Sequence, residues 1–202
     1  MLLLIDNFDS FSHILADLIR QTGQDLKMLR NDCTHQEIEA LEFNGLILSP
    51  GPETPSKAGN LMNMLRQYHR QVPILGVCLG HQAIGEFFGA SLIKNKKPTH
   101  GKVHSVYRIQ NHEVLAGIPE KFSVTRYHSL QLSELPECLI PLLKTQENEI
   151  MGMVHRNLPI VGIQYHPEAL LTEYGLRLIQ NWISWTTSGL ERKPQTKGVT
   201  LT

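Results

Sequence analysis

An open α/β sheet is the fold this sequence predicts: three layers, with a mostly parallel central sheet and helices on both faces. Three observations predict it. Short apolar runs of the kind that strands buried on both faces show recur at Leu2 to Ile5, Gly45 to Leu48, Ile74 to Val77 and Ile160 to Tyr165. Stretches with apolar residues at helical spacing separate the first three of them. Strands that alternate with helices in this way build a parallel sheet wrapped on both sides.

Leu2 to Ile5 opens the sheet and gives way to Asp6-Asn7-Phe8-Asp9-Ser10, where Asp9 or Ser10 can cap a helix. That helix carries Phe11, Ile14, Leu15, Leu18 and Ile19 on one side and stops at Gly23. Leu26 to Leu29 is a short second strand, and Thr34 with Glu37 forms a capping box for a helix through Leu41. The third strand, Gly45 to Ser49, runs into Pro50-Gly51-Pro52-Glu53-Thr54-Pro55, a loop stiffened by three prolines. Asn60 to His69 is helical through Leu61, Met64, Leu65 and Tyr68 and leads to the strand at Ile74 to Val77. The period changes at Cys78, and Ala83, Ile84, Phe87 and Phe88 then line one side of a helix that Gly89 ends. Beyond it the texture is β-rich, with pieces at Val103 to Ile109, Phe122 to Tyr127, Leu139 to Thr145 and Ile150 to His155, so extra hairpins are expected in the second half. Ile160 to Tyr165 is a last core strand, and a final helix from Thr172 carries Leu176, Ile179 and Ile183. The polar, basic segment 189–202 has no apolar period and reads as a mobile tail.

Composition narrows the classes. A chain of 202 residues fits one domain, and 41% hydrophobic residues suffice for its core. Lys+Arg and Asp+Glu are both 19, so nothing draws the chain to nucleic acid or to an anionic membrane. Three cysteines, Cys33, Cys78 and Cys138, are an odd number without C-x-x-C spacing, which supports neither a disulfide framework nor a zinc knuckle and suits a reducing cytoplasm. No apolar run approaches the roughly 18 residues of a membrane span. The first residues are a core strand rather than a signal peptide.

The chemistry centres on Cys78, on a strand-to-helix turn with Gly76 and Gly80 two positions to either side. A nucleophile on such an elbow needs small neighbours, because side chains there would strike the adjacent strand and helix. The amino end of the following helix favours negative charge. A buried structural cysteine is the alternative. A cysteine nucleophile needs a base and a group that orients the base. His166 and Glu168 lie two apart on an extended segment, so both project from one face. A His-x-Glu metal pair is the rival, but no third ligand lies at zinc-site spacing, so no metal is expected. His81 is three residues from Cys78, yet nothing near it in sequence would orient its ring, and a packing role is expected for it.

Gly76-Val77-Cys78-Leu79-Gly80-His81-Gln82, with Pro50-Gly51-Pro52 upstream and His166-Pro167-Glu168 downstream, resembles the class I (triad) glutamine amidotransferases. Leu4 to Phe11 with its Asp6-Asn7-Phe8-Asp9-Ser10 core, His100-Gly101-Lys102 and Arg126-Tyr127-His128-Ser129-Leu130 resemble, more narrowly, the amidotransferase components (component II) of aminodeoxychorismate synthase and anthranilate synthase. The segment Glu149 to Gly152 tilts the resemblance toward the former.

The resemblance implies one amidotransferase domain over 1–188 and a catalytic triad of Cys78, His166 and Glu168. It implies an oxyanion hole from the backbone N–H groups of Gly51 and Leu79, and glutamine held by Pro50, Gly51, Pro52, Gln82, Ser129 and Leu130. It further implies no cofactor in this chain, Mg2+ in the partner, and a large chorismate-binding synthase subunit that receives the ammonia, contacted near His100 to Lys102. The expected product of that partner is aminodeoxychorismate, with anthranilate, or service to both, as the alternative. The competing readings from other classes are a stand-alone γ-glutamyl hydrolase and a non-catalytic binding subunit. Two residues depart from the family pattern: Glu53 stands where a small residue is usual, and Ala169 where a serine is usual.

Overall fold

A computed structural model describes residues 1–95 and 99–191, with side chains through 187. Nine strands form one sheet in the order β2-β1-β3-β4-β11-β10-β9-β6-β7. Its parallel half consists of β1 (Leu2–Asp6), β2 (Leu26–Arg30), β3 (Gly45–Leu48), β4 (Ile74–Val77) and β11 (Ile160–Ile163). Beyond β11 the sheet continues antiparallel through β10 (Ile150–His155), β9 (Leu139–Lys144), β6 (Lys102–Arg108) and β7 (Lys121–Arg126). The expected hairpins thus extend the main sheet.

Alternation along the strands sorts the core into two layers. Leu2, Leu4, Ile47, Leu75 and Val77 face α1 (Ser12–Arg20) and α5 (Gly175–Glu191), where Leu15, Ile19, Leu178, Ile179 and Trp182 are buried. Leu3, Ile5, Leu46, Leu48 and Ile74 face α2 (His35–Glu39), α3 (Leu61–Tyr68) and α4 (Leu79–Phe88), through Ile38, Leu61, Leu65, Ala83 and Ile84. Each large apolar side chain buried this way contributes about 1.5–3 kcal/mol, so the helices are held by their packed faces more than by intrinsic propensity.

Thr34 and Glu37 form the expected capping box, with Glu37 Oε2 accepting from Thr34 N at 2.8 Å. At α1 the expectation fails. Phe11 occupies the N-cap position without a side-chain cap, and Asp9 Oδ1 accepts instead from Phe11 N at 2.8 Å, bracing the turn before the helix. A further strand pair, β5 (Ser91–Lys94) with β8 (Leu130–Ser133), forms a separate two-stranded sheet that the sequence pattern did not announce. Helix α5 runs through Gly189 to Glu191, so the tail expected from 189 does not begin there; positions 192–202 lie outside the described residues. Among the described residues, no helix is long and apolar enough to cross a membrane.

Candidate active site

Four adjacent parallel strands, β1, β3, β4 and β11, end at one edge of the sheet, and the residues singled out in the sequence follow directly from those ends. Ligands of open α/β sheets bind at such an edge. Cys78 follows β4 as the N-cap of α4, with φ 51 and ψ −100, a conformation rare for a residue with a Cβ. Strain of this kind costs about 1–3 kcal/mol and persists only where the surroundings impose it. They do so here. A Cβ on Gly76 would lie 2.5 Å from the Gly80 carbonyl, and one on Gly80 would strike the main-chain oxygen of Leu48. Cys78 N donates to Ile163 O at 2.8 Å, tying the elbow to β11.

The segment after β11 supplies the partners. His166 Nδ1 and Glu168 Oε1 are 2.7 Å apart, and both residues are buried. Burial alone would pull the His166 pKa down, but the facing Cys78 sulfur and the hydrogen-bonded Glu168 carboxylate outweigh it, and the net displacement is upward. The ring therefore favours the protonated form when a thiolate faces it. His166 N donates to Thr125 O at 3.1 Å, and its own carbonyl accepts from Thr172 Oγ1 at 2.7 Å, so the backbone is held on both sides. Phe11 and Tyr127 flank the imidazole with centroid distances of 5.2 and 5.0 Å.

His81 lies apart from this chemistry. It is fully buried over Gly162, where a Cβ would stand 2.7 Å from its Nδ1, and burial lowers its pKa to about 4. It is a neutral packing residue, as its lack of an orienting carboxylate suggested.

The loop after β3 brings residues 51 and 79 against each other: a Cβ on Gly51 would lie 2.5 Å from Leu79 Cδ2 and 2.6 Å from Asn7 Cβ. Asn7 holds this loop, donating from Nδ2 to Ser49 O at 2.9 Å while its own N–H donates to Ser49 Oγ at 2.9 Å. Asn31 Nδ2 in turn donates to Asn7 Oδ1 at 3.0 Å. Glu53 faces solvent in the left-handed region at φ 61, with Lys57 Nζ 3.5 Å away, so its carboxylate does not enter the site.

Gln82, Ser129 and Leu130 also converge. Gln82 Nε2 donates to Leu130 O at 3.1 Å and to Gln164 Oε1 at 3.2 Å. Ser129 O accepts from Asn95 N at 2.9 Å. Beneath them, His128 Nε2 accepts from Arg126 Nε at 3.0 Å, which leaves Nδ1 as the N–H that donates to Leu130 O at 2.8 Å. Burial first, and the Arg126 cation second, lower the His128 pKa to about 3. Arg126 itself, buried, pairs with the half-buried Glu149 at 2.5 Å, an ion pair bracing the connection from β7 to β8.

Sequence reading missed Gln164, Asn7 and the Arg126–Glu149 pair. Gln164 carried a usable signal, since period-2 alternation puts it on the face of His166 and Glu168. The ion pair carried none, because 23 positions separate its members.

Comparisons with known proteins bear on the family. The family model for glutamine amidotransferase class-I matches residues 3–185. Anthranilate synthase component 2 of Azospirillum brasilense is 43% identical over 195 residues, covering 95% of this chain and 98% of its own. Aminodeoxychorismate/anthranilate synthase component 2 of Bacillus subtilis strain 168 is 38% identical over 186 residues, covering 91% and 95%. A solved structure from Thermoplasma acidophilum, described as part of a GMP synthase, superposes with a TM-score of 0.83 at 28% identity, covering 94% of this chain and 95% of that one.

Proposed function

Because the chain belongs to the class-I glutamine amidotransferase family, we propose that it is the glutamine-hydrolysing component of a two-part synthase that aminates chorismate, with aminodeoxychorismate as its partner's product. The observation that carries the reading is the buried His166–Glu168 pair at 2.7 Å, set just beyond the strand next to the one that presents Cys78 in a strained elbow.

In this reading the Cys78 thiol gives its proton to His166, and the sulfur attacks the side-chain amide carbon of glutamine. Negative charge develops on the amide oxygen beside the amino end of α4, where the N–H groups of Leu79 and Gly51 receive it, each donor being worth about 3–4 kcal/mol in comparable sites. The tetrahedral adduct collapses, the C–N bond breaks, and His166 hands its proton to the departing ammonia. Water, deprotonated by the same imidazole, then attacks the glutamyl thioester; glutamate leaves and the thiol is restored. Glu168 keeps Nδ1 of His166 as the N–H, so that Nε2 works on the substrate. Gln82, Ser129 and Leu130 hold the amino-acid end of the substrate.

Ammonia released into neutral water would be protonated and lost as a nucleophile, so it must pass directly to a second site. In this reading the large subunit docks on Leu170, 97% exposed, and Leu171, 62% exposed, which follow shortly after Glu168. An anthranilate-forming partner is the second reading, favoured by the 43% identical relative that bears that name. Aminodeoxychorismate as the product rests on the resemblance carried by the segment Glu149 to Gly152.

The test is to capture the partner synthase with this chain, supply chorismate and glutamine, and identify the aromatic product. Cys78→Ala should abolish glutamine-dependent amination while ammonium salts still support it. Retained glutamine-dependent activity in that variant would remove Cys78 as the nucleophile. Full glutaminase activity without any partner would favour a stand-alone hydrolase.

A further inference from the structure

We propose that Gln164 is a positioning residue for the nucleophile: its side-chain amide donates to Cys78 Sγ, favours the thiolate, and ties that sulfur to Gln82. The proposal rests on the reading of Cys78 as the attacking group.

Gln164 follows β11 directly and is fully buried, with its own N–H bonded to Met151 O at 3.0 Å. Its Nε2 stands 3.7 Å from Cys78 Sγ, within reach of an N–H···S contact. The orientation of the amide is dictated by its other end. Gln82 Nε2 donates to Gln164 Oε1 at 3.2 Å, and turning the Gln164 amide over would set two NH2 groups against each other. Gln82 cannot turn either, because the same Nε2 donates to Leu130 O. Two carbonyl oxygens at one end therefore leave only an N–H donor at the other, facing sulfur.

A thiol is a weak acceptor and a thiolate a strong one, so a fixed donor lowers the cost of ionisation without supplying a charge. The two hydrogens of Gln82 are both committed, which leaves Gln82 Oε1 as the atom available to an N–H of the substrate. A substrate that engages Gln82 thus braces the chain that ends on the nucleophile. The titratable and charged groups around the sulfur are few. His166 faces it with Glu168 behind, His81 of α4 and His128 of the β7–β8 connection are buried and neutral, and Arg126 is paired with Glu149.

The experiment follows iodoacetamide labelling of Cys78 against pH in the full chain, read by mass spectrometry of the peptide that holds it. Gln164→Met should move the labelling midpoint up by about one pH unit, making labelling about tenfold slower at neutral pH, and should lower kcat for glutamine more than it raises KM. Gln164→Glu, once ionised, sets a carboxylate against the sulfur and should raise the midpoint further still, whereas a residue 164 that only fills space out of reach of the sulfur would leave the midpoint unmoved. A Gln164→Met chain that melts like wild type and labels with the wild-type profile overturns the proposal. If that variant does not fold, nitrogen-15 spectra of the wild type decide: the Gln164 side-chain amide should shift in step with the Cys78 labelling midpoint and lose that response in Cys78→Ala. An amide indifferent to the sulfur overturns the proposal. A wild-type chain that neither labels at Cys78 nor hydrolyses glutamine overturns the proposed function as well, whereas an unchanged Gln164 variant leaves that function standing.

Discussion

Glu53 sits at φ 61, where a residue with a Cβ is disfavoured by about 1–2 kcal/mol, and its carboxylate is exposed beside an exposed Lys57. Glu53→Gly should therefore stabilise the chain by about 1 kcal/mol in urea denaturation, since the surface ion pair it removes contributes little. An unchanged or lowered midpoint would mean that the loop does not strain Glu53. The family pattern flagged this position from sequence, but only the backbone angle explains why a small residue suits it. At the same scale Cys78, His166 and Glu168 were legible because residue type and spacing announced them. Gln164 was overlooked because an amide carries no titratable signature.

The elbow is the element on which the site depends. A Cβ on Gly80 meets the Leu48 carbonyl oxygen, a main-chain atom that cannot swing aside. Gly80→Ala should destabilise the fold by about 1–3 kcal/mol as an overpacked contact and reduce glutamine hydrolysis by displacing Cys78. Denaturation and activity measured on one preparation test both, and a native-like midpoint would show that β3 yields. Strands and helices of the parallel half were legible because each carries a complete apolar pattern. The β5–β8 pair was not: four residues each, half exposed, they acquire strand form only by meeting across a long stretch of sequence.

Across the whole molecule, pH and partner binding give two further expectations. Burial holds His81 at about 4 and His128 at about 3, whereas an unfolded chain protonates histidine near about 6.5. In that window the unfolded state binds more protons, so the stability these residues contribute is complete above about 6.5 and is lost as pH falls toward 4 and then 3. The melting temperature should drop on acidification through this range, and less steeply in His128→Gln; a flat profile would contradict the burial of neutral rings. His166 acts with the opposite sign: its raised pKa gives stability complete below its ordinary value and lost only as pH rises through the raised one. Leu170→Asp should leave the melting temperature unchanged and weaken capture of the partner by about tenfold or more, as loss of an apolar anchor does. Undiminished capture would move the docking surface elsewhere.

Sequence alone determined the layered α/β class, Cys78 on its strand-to-helix turn and the His166–Glu168 imidazole–carboxylate pair, because apolar period, glycine spacing and alternation along an extended segment are local properties of the chain. Tertiary structure alone decided the rest. It sealed His81 over Gly162, where burial keeps the ring neutral. The clamp of Asn7 on the Gly51 loop, the Arg126–Glu149 brace and the Gln82–Gln164–Cys78 chain each join residues from different strands or loops. Such contacts come into being only when the sheet sets the ends of β1, β3, β4 and β11 side by side.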